Sequence, residues 1–295
     1  MLPAPDITVG ILGASSLVGD CLLARLTEMK YSAVAFSREK QTDIHGEGAA
    51  WSQIIDPGTN NVGIICHANY WICVAPIWVL PDYFSLIEAS GARRVVALSS
   101  TSRFTKAGSD DMVENSVVAK LIDSEARVQA WAEHRGIEWV VLRPTLIYGL
   151  RRDKNISEIA RFILRFGFFP LLGKAQGLRQ PIHAGDVAAA CVAAFRAPNA
   201  VNRAYNISGG ETLTYRDMVA RVFAALDRRT CFLTVPLWVF RLAVLGLRRL
   251  PRYRNWSAAM AERMNVDLIF DHSEAARDLF FKPRRFVLAA EDLQG

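Results

Sequence analysis

The sequence contains few cysteines, no internal repeats and no low-complexity runs. Its five cysteines are scattered, and none of their spacings matches the close pairs that ligate zinc, so we expect no metal site. An odd number of scattered cysteines indicates free thiols in a reducing compartment, which predicts a cytoplasmic location. The first residues also lack a basic segment followed by an apolar run, so we expect no cleaved signal peptide.

The chain also lacks an uninterrupted apolar run long enough for a confident membrane span. Residues 232–247 are almost wholly apolar, but Pro236 and Arg241 interrupt them, and an arginine-rich stretch follows up to residue 254. This pattern favours a buried cap helix with a basic edge. The alternative is a helix over 232–254 that contacts an anionic membrane or a partner, peripheral to the inner face of a membrane.

Size and charge set broad limits on the function. The chain has 295 residues, of which 51% are hydrophobic, which is enough to bury the core of one large domain or two interlocked ones. A net charge of +6 suits a ligand that carries phosphate, and it does not require nucleic acid, so we expect no nucleic-acid partner.

The most informative segment is a strand, a glycine turn and a helix near the start. Apolar residues in 7–12 precede Gly13, and small residues then lead through Gly19 into a helical pattern over 17–29. This arrangement holds the diphosphate of a dinucleotide, because the backbone approaches the phosphates closely and the helix N-terminus offers N–H groups. An ordinary tight turn is the alternative. The predicted cofactor contacts in this turn are Gly13, Ser15, Ser16, Leu17, Val18 and Gly19.

Strand-like runs alternate with helical patterns over the first two hundred residues. Strands are predicted at 7–12, 32–36, 62–66, 94–99, 138–143 and 204–207, and helices at 17–29, 80–90, 110–135, 156–166 and 186–196. The alternation favours an α/β fold, a Rossmann-type doubly wound parallel sheet with helices on both faces. We therefore expect a nucleotide-binding domain over 1–150, completed by about 183–210, and a smaller C-terminal substrate lobe from 151–182 and 211–295.

Six motifs resemble the extended short-chain dehydrogenase/reductases, in their nucleotide-sugar epimerase/dehydratase branch. They follow that family's order, at residues 13–19, 63–69, 95–101, 142–149, 179–187 and 205–210, and the end of the chain is similar as well. The resemblance implies a bound NAD or NADP and a nucleotide-activated sugar or related carbonyl compound as substrate. It also implies further cofactor contacts at His67, Ala68, Ser99 and Pro144.

The resemblance implies a catalytic tyrosine four residues before a lysine, with a serine or threonine nearby. The lysine charge stabilises the tyrosinate, so that the phenol can exchange a proton with the substrate. Thr101 matches the hydroxyl position. Lys120 matches the lysine, as a catalytic group and as a cofactor contact, and an ordinary solvent-facing lysine is the alternative. Ser116 stands where the tyrosine is expected, and its hydroxyl is too weak an acid for this role.

The proton donor must therefore be a non-standard one. No tyrosine occurs between residues 84 and 147, so a small shift of register does not restore the motif. Tyr148 is the first candidate, as a donor and as a substrate contact, and Tyr70 is the second. Packing in the core is the alternative for both.

Two further sites concern phosphate groups. The second predicted strand ends in Ser37 and Arg38, where NAD-binding proteins place a carboxylate, so we predict NADP(H), with NAD(H) as the alternative because Glu39 follows. Arg179 is predicted to bind substrate phosphates, because its guanidinium fork suits a diphosphate.

Asp186 is predicted to cap the helix that begins there.

Two functions remain open from the sequence. The first is an NADP-dependent oxidoreductase, epimerase or dehydratase that acts on the predicted substrate. The second is a catalytically degenerate protein that keeps NADP(H) as a structural or sensing element, as in an accessory subunit of respiratory complex I. By analogy with the family, the helix at 110–135 is a candidate for contributing to a homodimer.

Overall fold

A seven-stranded parallel sheet forms the centre of the computed structural model, which describes residues 7–37, 49–53, 67–105, 112–236, 238–239 and 263–293. The strands are β1 (Thr8–Leu12), β2 (Ser32–Ser37), β3 (Ala49–Gln53), β4 (Tyr70–Cys73), β5 (Arg94–Leu98), β6 (Glu138–Pro144), β7 (Ile147–Tyr148), β8 (Phe169–Leu172), β9 (Leu178–Arg179), β10 (Ile182–His183), β11 (Arg203–Ile207), β12 (Leu213–Thr214) and β13 (Phe232–Val235). The helices are α1 (Leu17–Glu28), α2 (Phe84–Ala89), α3 (Ser102–Thr105), α4 (Met112–Arg135), α5 (Ile156–Phe166), α6 (Ala184–Arg196), α7 (Tyr215–Ala225), α8 (Ser273–Leu279) and α9 (Ala290–Leu293).

The strand order in the large sheet is β11-β6-β5-β4-β1-β2-β3, and every neighbouring pair is parallel. On one face, α1 and α6 pack over the sheet through fully buried residues such as Leu22 and Val187. On the other face, α4 and the 3-10 turn Ile77–Tyr83 pack through Val128 and Leu80. Because both faces are covered, the central residues of the inner strands β1, β4, β5 and β6 are apolar and buried, and the predicted doubly wound α/β fold is confirmed.

One predicted strand requires correction. The predicted strand 62–66 lies outside the described residues, and the strand between β1 and β5 is β4, which pairs Leu12 with Cys73. His67 and Ala68 therefore precede β4 at the amino end of the sheet, whereas nucleotides bind at the carboxyl end. The predicted helix at 80–90 is also different, since the turn around Pro81 is 3-10 and α2 begins only at Phe84.

A third hydrophobic cluster lies beyond the sheet, between α5 and α7. Three short strand pairs border it, namely β8 with β13, β9 with β12 and β7 with β10. Residues 232–235 therefore form a strand rather than the start of the predicted cap or interfacial helix, because β8 offers them backbone partners. Most of the remainder of that segment lies outside the described residues, namely residues 237 and 240–254. Residues 238–239 are described and are helical.

Within the described part of the chain, no helix has both the length and the hydropathy needed to cross a bilayer. The division into a nucleotide-binding domain and a substrate lobe stays a prediction.

Candidate functional site

The glycine turn between β1 and α1 is packed so tightly that it has no room for a side chain at Gly13 or Gly19. Gly13 has a φ of +83°, and a Cβ there would lie 2.4 Å from the backbone nitrogen of Ala75. A Cβ on Gly19 would lie 2.2 Å from the carbonyl oxygen of Ala14. The Ser16 hydroxyl accepts a hydrogen bond of 3.1 Å from the Gly19 N–H and so caps α1. The first turn of α1 therefore presents its backbone at the carboxyl edge of the sheet.

A cavity of about 900 Å³ opens at this edge. On the sheet side it is lined by the glycine turn and by the residues that follow β4, β5 and β6. On the opposite side it is lined by the segment after β7, by β9 and by residues around 264. The cofactor residues predicted from the sequence that line it are Ser16, Leu17, Val18, Ser99 and Pro144, together with the predicted catalytic Thr101.

Thr101 is held at the cavity by its contacts with β6. Its backbone N–H and its hydroxyl both donate to the carbonyl oxygen of Pro144, each at 3.1 Å. The residue is 6% exposed, so its position is fixed by the packed sheet rather than by solvent. This arrangement presents a hydroxyl of defined orientation to the cavity.

A buried carboxylate that the sequence reasoning missed supports the same edge. Glu125 of α4 accepts hydrogen bonds from the Ser99 hydroxyl, from Arg103 and from Arg143, the last at 2.6 Å. The ring of Phe104 lies 5.2 Å from the Arg103 guanidinium and 5.4 Å from that of Arg143. Two arginines compensate one buried acid, and the cluster fixes α4 against the end of β5.

Lys120 does not reach the cavity. The buried stripe of α4 runs through Glu114, Val118, Leu121 and Glu125, at helical spacings of three and four residues. Lys120 lies outside this stripe on the exposed side of the helix, as does Ser116, and the α4 residue that lines the cavity is Glu114. This placement corrects the prediction of Lys120 as a catalytic and ribose-binding residue.

The two tyrosines proposed as proton donors also lie elsewhere. Tyr148 is fully buried in the third hydrophobic cluster, where its hydroxyl donates to the carbonyl oxygen of Val287 at 3.4 Å. Burial raises the pKa of Tyr148 to about 12. Tyr70 begins β4 at the amino end of the sheet, and its ring packs against Phe195. Neither side chain lines the cavity, so both donor predictions and the substrate contact of Tyr148 are corrected.

The remaining predicted cofactor contacts lie at different places. Gly13 and Ser15 belong to the glycine turn, and Ser37 ends β2 at the carboxyl edge, where it is buried. Arg38 lies outside the described residues. His67 is exposed, while Ala68 is buried before β4 and accepts a hydrogen bond from Trp71. The two residues before β4 are therefore corrected as cofactor contacts, because they lie at the wrong end of the strand.

Arg179 provides positive charge on the wall opposite the sheet. It is 4% exposed, and its guanidinium donates to the carbonyl oxygens of Leu178 at 2.7 Å, of Val266 at 2.8 Å and of Arg263. It also lies over the ring of Tyr215, at 5.5 Å. Burial lowers the pKa of Arg179, but a guanidinium stays protonated in proteins. Its bonded partners are neutral carbonyls, so its charge is available to an anion in the cavity.

Tyr215 and Glu114 are polar side chains of the cavity that the sequence reasoning missed. Burial raises the pKa of Tyr215 to about 12, although the neighbouring Arg179 acts in the opposite direction, so the phenol stays protonated at neutral pH. Glu114 forms an ion pair with Arg263 at 2.7 Å. The sequence did contain a sign of its position, because Glu114 lies four residues before Val118 and seven before Leu121, on the buried stripe of α4.

His183 and Asp186 join the sheet to the C-terminal residues. The Nδ1 atom of His183 accepts a hydrogen bond of 3.0 Å from the Gly185 N–H, so His183 rather than Asp186 caps α6. Asp186 instead accepts bonds from the backbone N–H and the Nε of Arg284, at 2.9 and 3.0 Å. The predicted cap is thus corrected, and the structural role of Asp186 rests on this ion pair.

A parallel sheet with a tight glycine turn between its first strand and the next helix, opening on a cavity at its carboxyl edge, defines a dinucleotide-binding protein of the Rossmann type. Residues 9–208 match the profile of the NAD dependent epimerase/dehydratase family, and the chain belongs to that family. The predicted resemblance is confirmed, and the family's cofactor agrees with the NAD(P) prediction.

Curated relatives match parts of the chain. A UDP-glucose 4-epimerase of Vibrio cholerae is 27% identical over 120 residues, which are 41% of this chain and 37% of the relative. The mitochondrial NADH dehydrogenase [ubiquinone] 1 alpha subcomplex subunit 9 of Arabidopsis thaliana is 25% identical over 100 residues, which are 34% of this chain and 25% of that protein. The matched region thus spans well under half the length of these relatives.

Solved structures show the same fold over nearly the whole chain. The UDP-glucuronic acid 4-epimerase of Bacillus cereus, in complex with UDP-glucuronic acid and NAD, has a TM-score of 0.72 at 14% identity and covers 97% of this chain and 96% of that one. The UDP-glucose 4-epimerase of Thermotoga maritima, with UDP-glucose, has a TM-score of 0.69 at 14% identity and the same coverage.

Proposed function

We propose that the chain binds NADP(H) at the glycine turn and acts as an oxidoreductase on a nucleotide-activated sugar or a related carbonyl compound. The observation that carries this proposal is the single cavity that joins the turn to the buried cation of Arg179. The turn fits a dinucleotide, because Ser16, Leu17 and Val18 at the N-terminus of α1 line the cavity, and the dipole and backbone N–H groups of a helix N-terminus favour a phosphate. When bound, the nicotinamide supplies the hydride acceptor or donor.

The residues of the chain have distinct roles in this proposal. The first turn of α1 holds the dinucleotide phosphates with backbone N–H groups, and Thr101 orients the reacting oxygen of the substrate. Arg179 binds the substrate diphosphate. Reduction of a ketone tolerates a weak proton donor better than epimerisation, which must remove and return a proton in each cycle, so we favour a reductase-type reaction.

A second possible function, a protein that binds the dinucleotide without catalysis, is supported by the position of Lys120 and Ser116 on the exposed side of α4. Because Lys120 and Ser116 are exposed there, the described part of α4 presents no tyrosine–lysine pair to the cavity. The partial similarity to the Arabidopsis NADH dehydrogenase subunit is in line with the accessory-subunit role considered from the sequence. In this alternative the chain would act as a structural or sensing protein.

Turnover with bound cofactor separates the two functions. Purified protein is loaded with NADP+ or NAD+ and mixed with UDP-glucose or UDP-glucuronic acid, and the absorbance of the reduced nicotinamide that forms is followed. An alcohol group of the sugar would give its hydride to the nicotinamide and become a ketone, so reduction of the cofactor that depends on the UDP-sugar supports the enzyme. Cofactor that is retained and never reduced supports the binding protein, and protein that takes up no dinucleotide rules out both.

The choice of dinucleotide is tested by replacing Arg38 with alanine. We expect this variant to bind NADPH about tenfold more weakly and NADH nearly unchanged, because a guanidinium at this turn would pair with the 2′-phosphate. Fluorescence titration of both reduced cofactors measures the difference. Equal losses for the two would refute the NADP assignment and favour NAD.

The substrate-phosphate role of Arg179 is tested by Arg179→Met, which keeps the length of the side chain and removes its charge. We expect UDP-glucose to bind about tenfold to a hundredfold more weakly, since charge-assisted bonds to a diphosphate are lost, while NADPH binding is retained. Calorimetric titration of NADPH-loaded protein gives both affinities. Arg165→Met on α5, outside the cavity lining, is the matched control. An unchanged UDP-glucose affinity in a folded Arg179 variant contradicts this role.

A further inference from the structure

We propose that Arg152 binds a phosphate group of the dinucleotide and closes over the glycine turn from the opposite wall of the cavity. The inference rests on the proposed dinucleotide site and adds a residue that lies far from the turn in sequence. Arg152 follows β7, and it lines the same cavity as Ser16 and Leu17.

The guanidinium of Arg152 already contacts the turn. Its Nη2 donates to the carbonyl oxygen of Ser15 at 2.6 Å, and its Nη1 pairs with the carboxylate of Asp20 in the first turn of α1. These bonds use two of the five N–H groups of a guanidinium. The side chain is 49% exposed, so the group can turn toward an anion without leaving a buried site.

Electrostatics favours a phosphate at this place. The N-terminus of α1 attracts negative charge through its free N–H groups and its dipole. The carboxylate of Asp20, in the first turn of α1, already provides one negative charge there. A phosphate held by the backbone N–H groups of Leu17 and Val18 would lie close to the Arg152 guanidinium, since all three residues line the cavity. Because a phosphate and Asp20 compete for this guanidinium, removing the Asp20 charge should assist phosphate binding rather than weaken it.

The backbone that carries Arg152 is unusual, which argues against an incidental surface ion pair. Leu150 and Arg151 have φ values of 47° and 57°, a left-handed conformation that costs energy in non-glycine residues. The buried Asp292 holds this turn, because its carboxylate accepts a hydrogen bond of 3.0 Å from the Leu150 N–H. The turn at Leu150 and Arg151 is costly, and Asp292 of α9 fixes it in place. We take this as support for a functional position of the next residue, Arg152.

The test compares Arg152→Ala with Asp20→Asn, since both break the same ion pair. We expect Arg152→Ala to bind NADPH about tenfold more weakly, and Asp20→Asn to bind it as well as or better than the wild type. Arg152→Lys keeps the charge and should lose less than the alanine variant. Arg161→Ala is the matched control, because Arg161 pairs with Glu158 on the surface of α5. Thermal unfolding of each variant confirms that it is folded.

The outcomes separate the possible sources of the effect. Equal losses for NADPH and NADH in Arg152→Ala assign the contact to the diphosphate, whereas a loss confined to NADPH assigns it to the 2′-phosphate. An unchanged affinity, or an equal loss in Asp20→Asn, overturns the inference and leaves a structural ion pair. Wild-type protein that binds neither dinucleotide overturns the proposed function, and this inference with it.

Discussion

Replacing Gly13 with alanine is expected to destabilise the protein by about 3 kcal/mol and to abolish dinucleotide binding. Two costs add here. A side chain at positive φ costs about 1–2 kcal/mol, and forcing a methyl group into filled space costs about 1–3 kcal/mol. The filled space is the backbone after β4, 2.4 Å from the position of the new Cβ, so one strand connection must move. Urea unfolding and NADPH titration measure the two effects.

Gly91 provides the matched control for this prediction. Its φ is +73°, close to that of Gly13, but a Cβ there meets nothing within 4 Å. Gly91→Ala should therefore lose about 1 kcal/mol from the backbone conformation alone and keep full dinucleotide binding. If Gly13→Ala loses no more stability than Gly91→Ala and still binds NADPH, close packing of the turn is not what the site requires.

Most of the sheet was predictable from the sequence, but the edge strand β3 was not predicted and β4 was not found at its place. The difficulty with β4 has a physical cause. Two short apolar runs, at 62–66 and 70–74, follow each other before β5, and apolar content alone does not decide which of them pairs with β1. The deciding contact is long-range, because Trp71 of β4 packs against Gly10, where a Cβ would lie 2.7 Å from its ring. A glycine inside a strand indicates such a close approach. Gly10 was therefore the residue in the sequence that indicated pairing of β1 with the run that contains Trp71.

The site was predictable only where the backbone determines it. Gly13 and Thr101 follow directly from strand ends, so their positions could be read from the motifs, while their roles stay predictions. Lys120 was misplaced because one residue of phase on a helix moves a side chain by about 100° around the axis. Glu125 was missed because a buried acid cannot be told from a surface acid until its partners are known, and those partners come from separate elements of the fold.

Glu125→Gln is expected to destabilise the protein by about 3 kcal/mol, the lower end of the cost of breaking a buried ion pair. The substitution keeps the shape of the side chain but leaves Arg103 and Arg143 without their shared negative charge, and both arginine side chains are largely buried. The Ser99 hydroxyl loses its charged acceptor in the same step. Since Ser99 lines the cavity, we also expect weaker NADPH binding. Urea unfolding and cofactor titration give both values.

Glu158→Gln is the control for Glu125→Gln, because it removes the same charge from an exposed helical pair with Arg161. Exposed pairs of this kind contribute about 0.5 kcal/mol or less, so this variant should unfold almost like the wild type. A loss in Glu125→Gln no greater than that of the control would mean that the two arginines find other partners or solvent. In that case the cluster would not be what fixes α4 against β5, and the position of Ser99 and Thr101 would have to depend on the sheet alone.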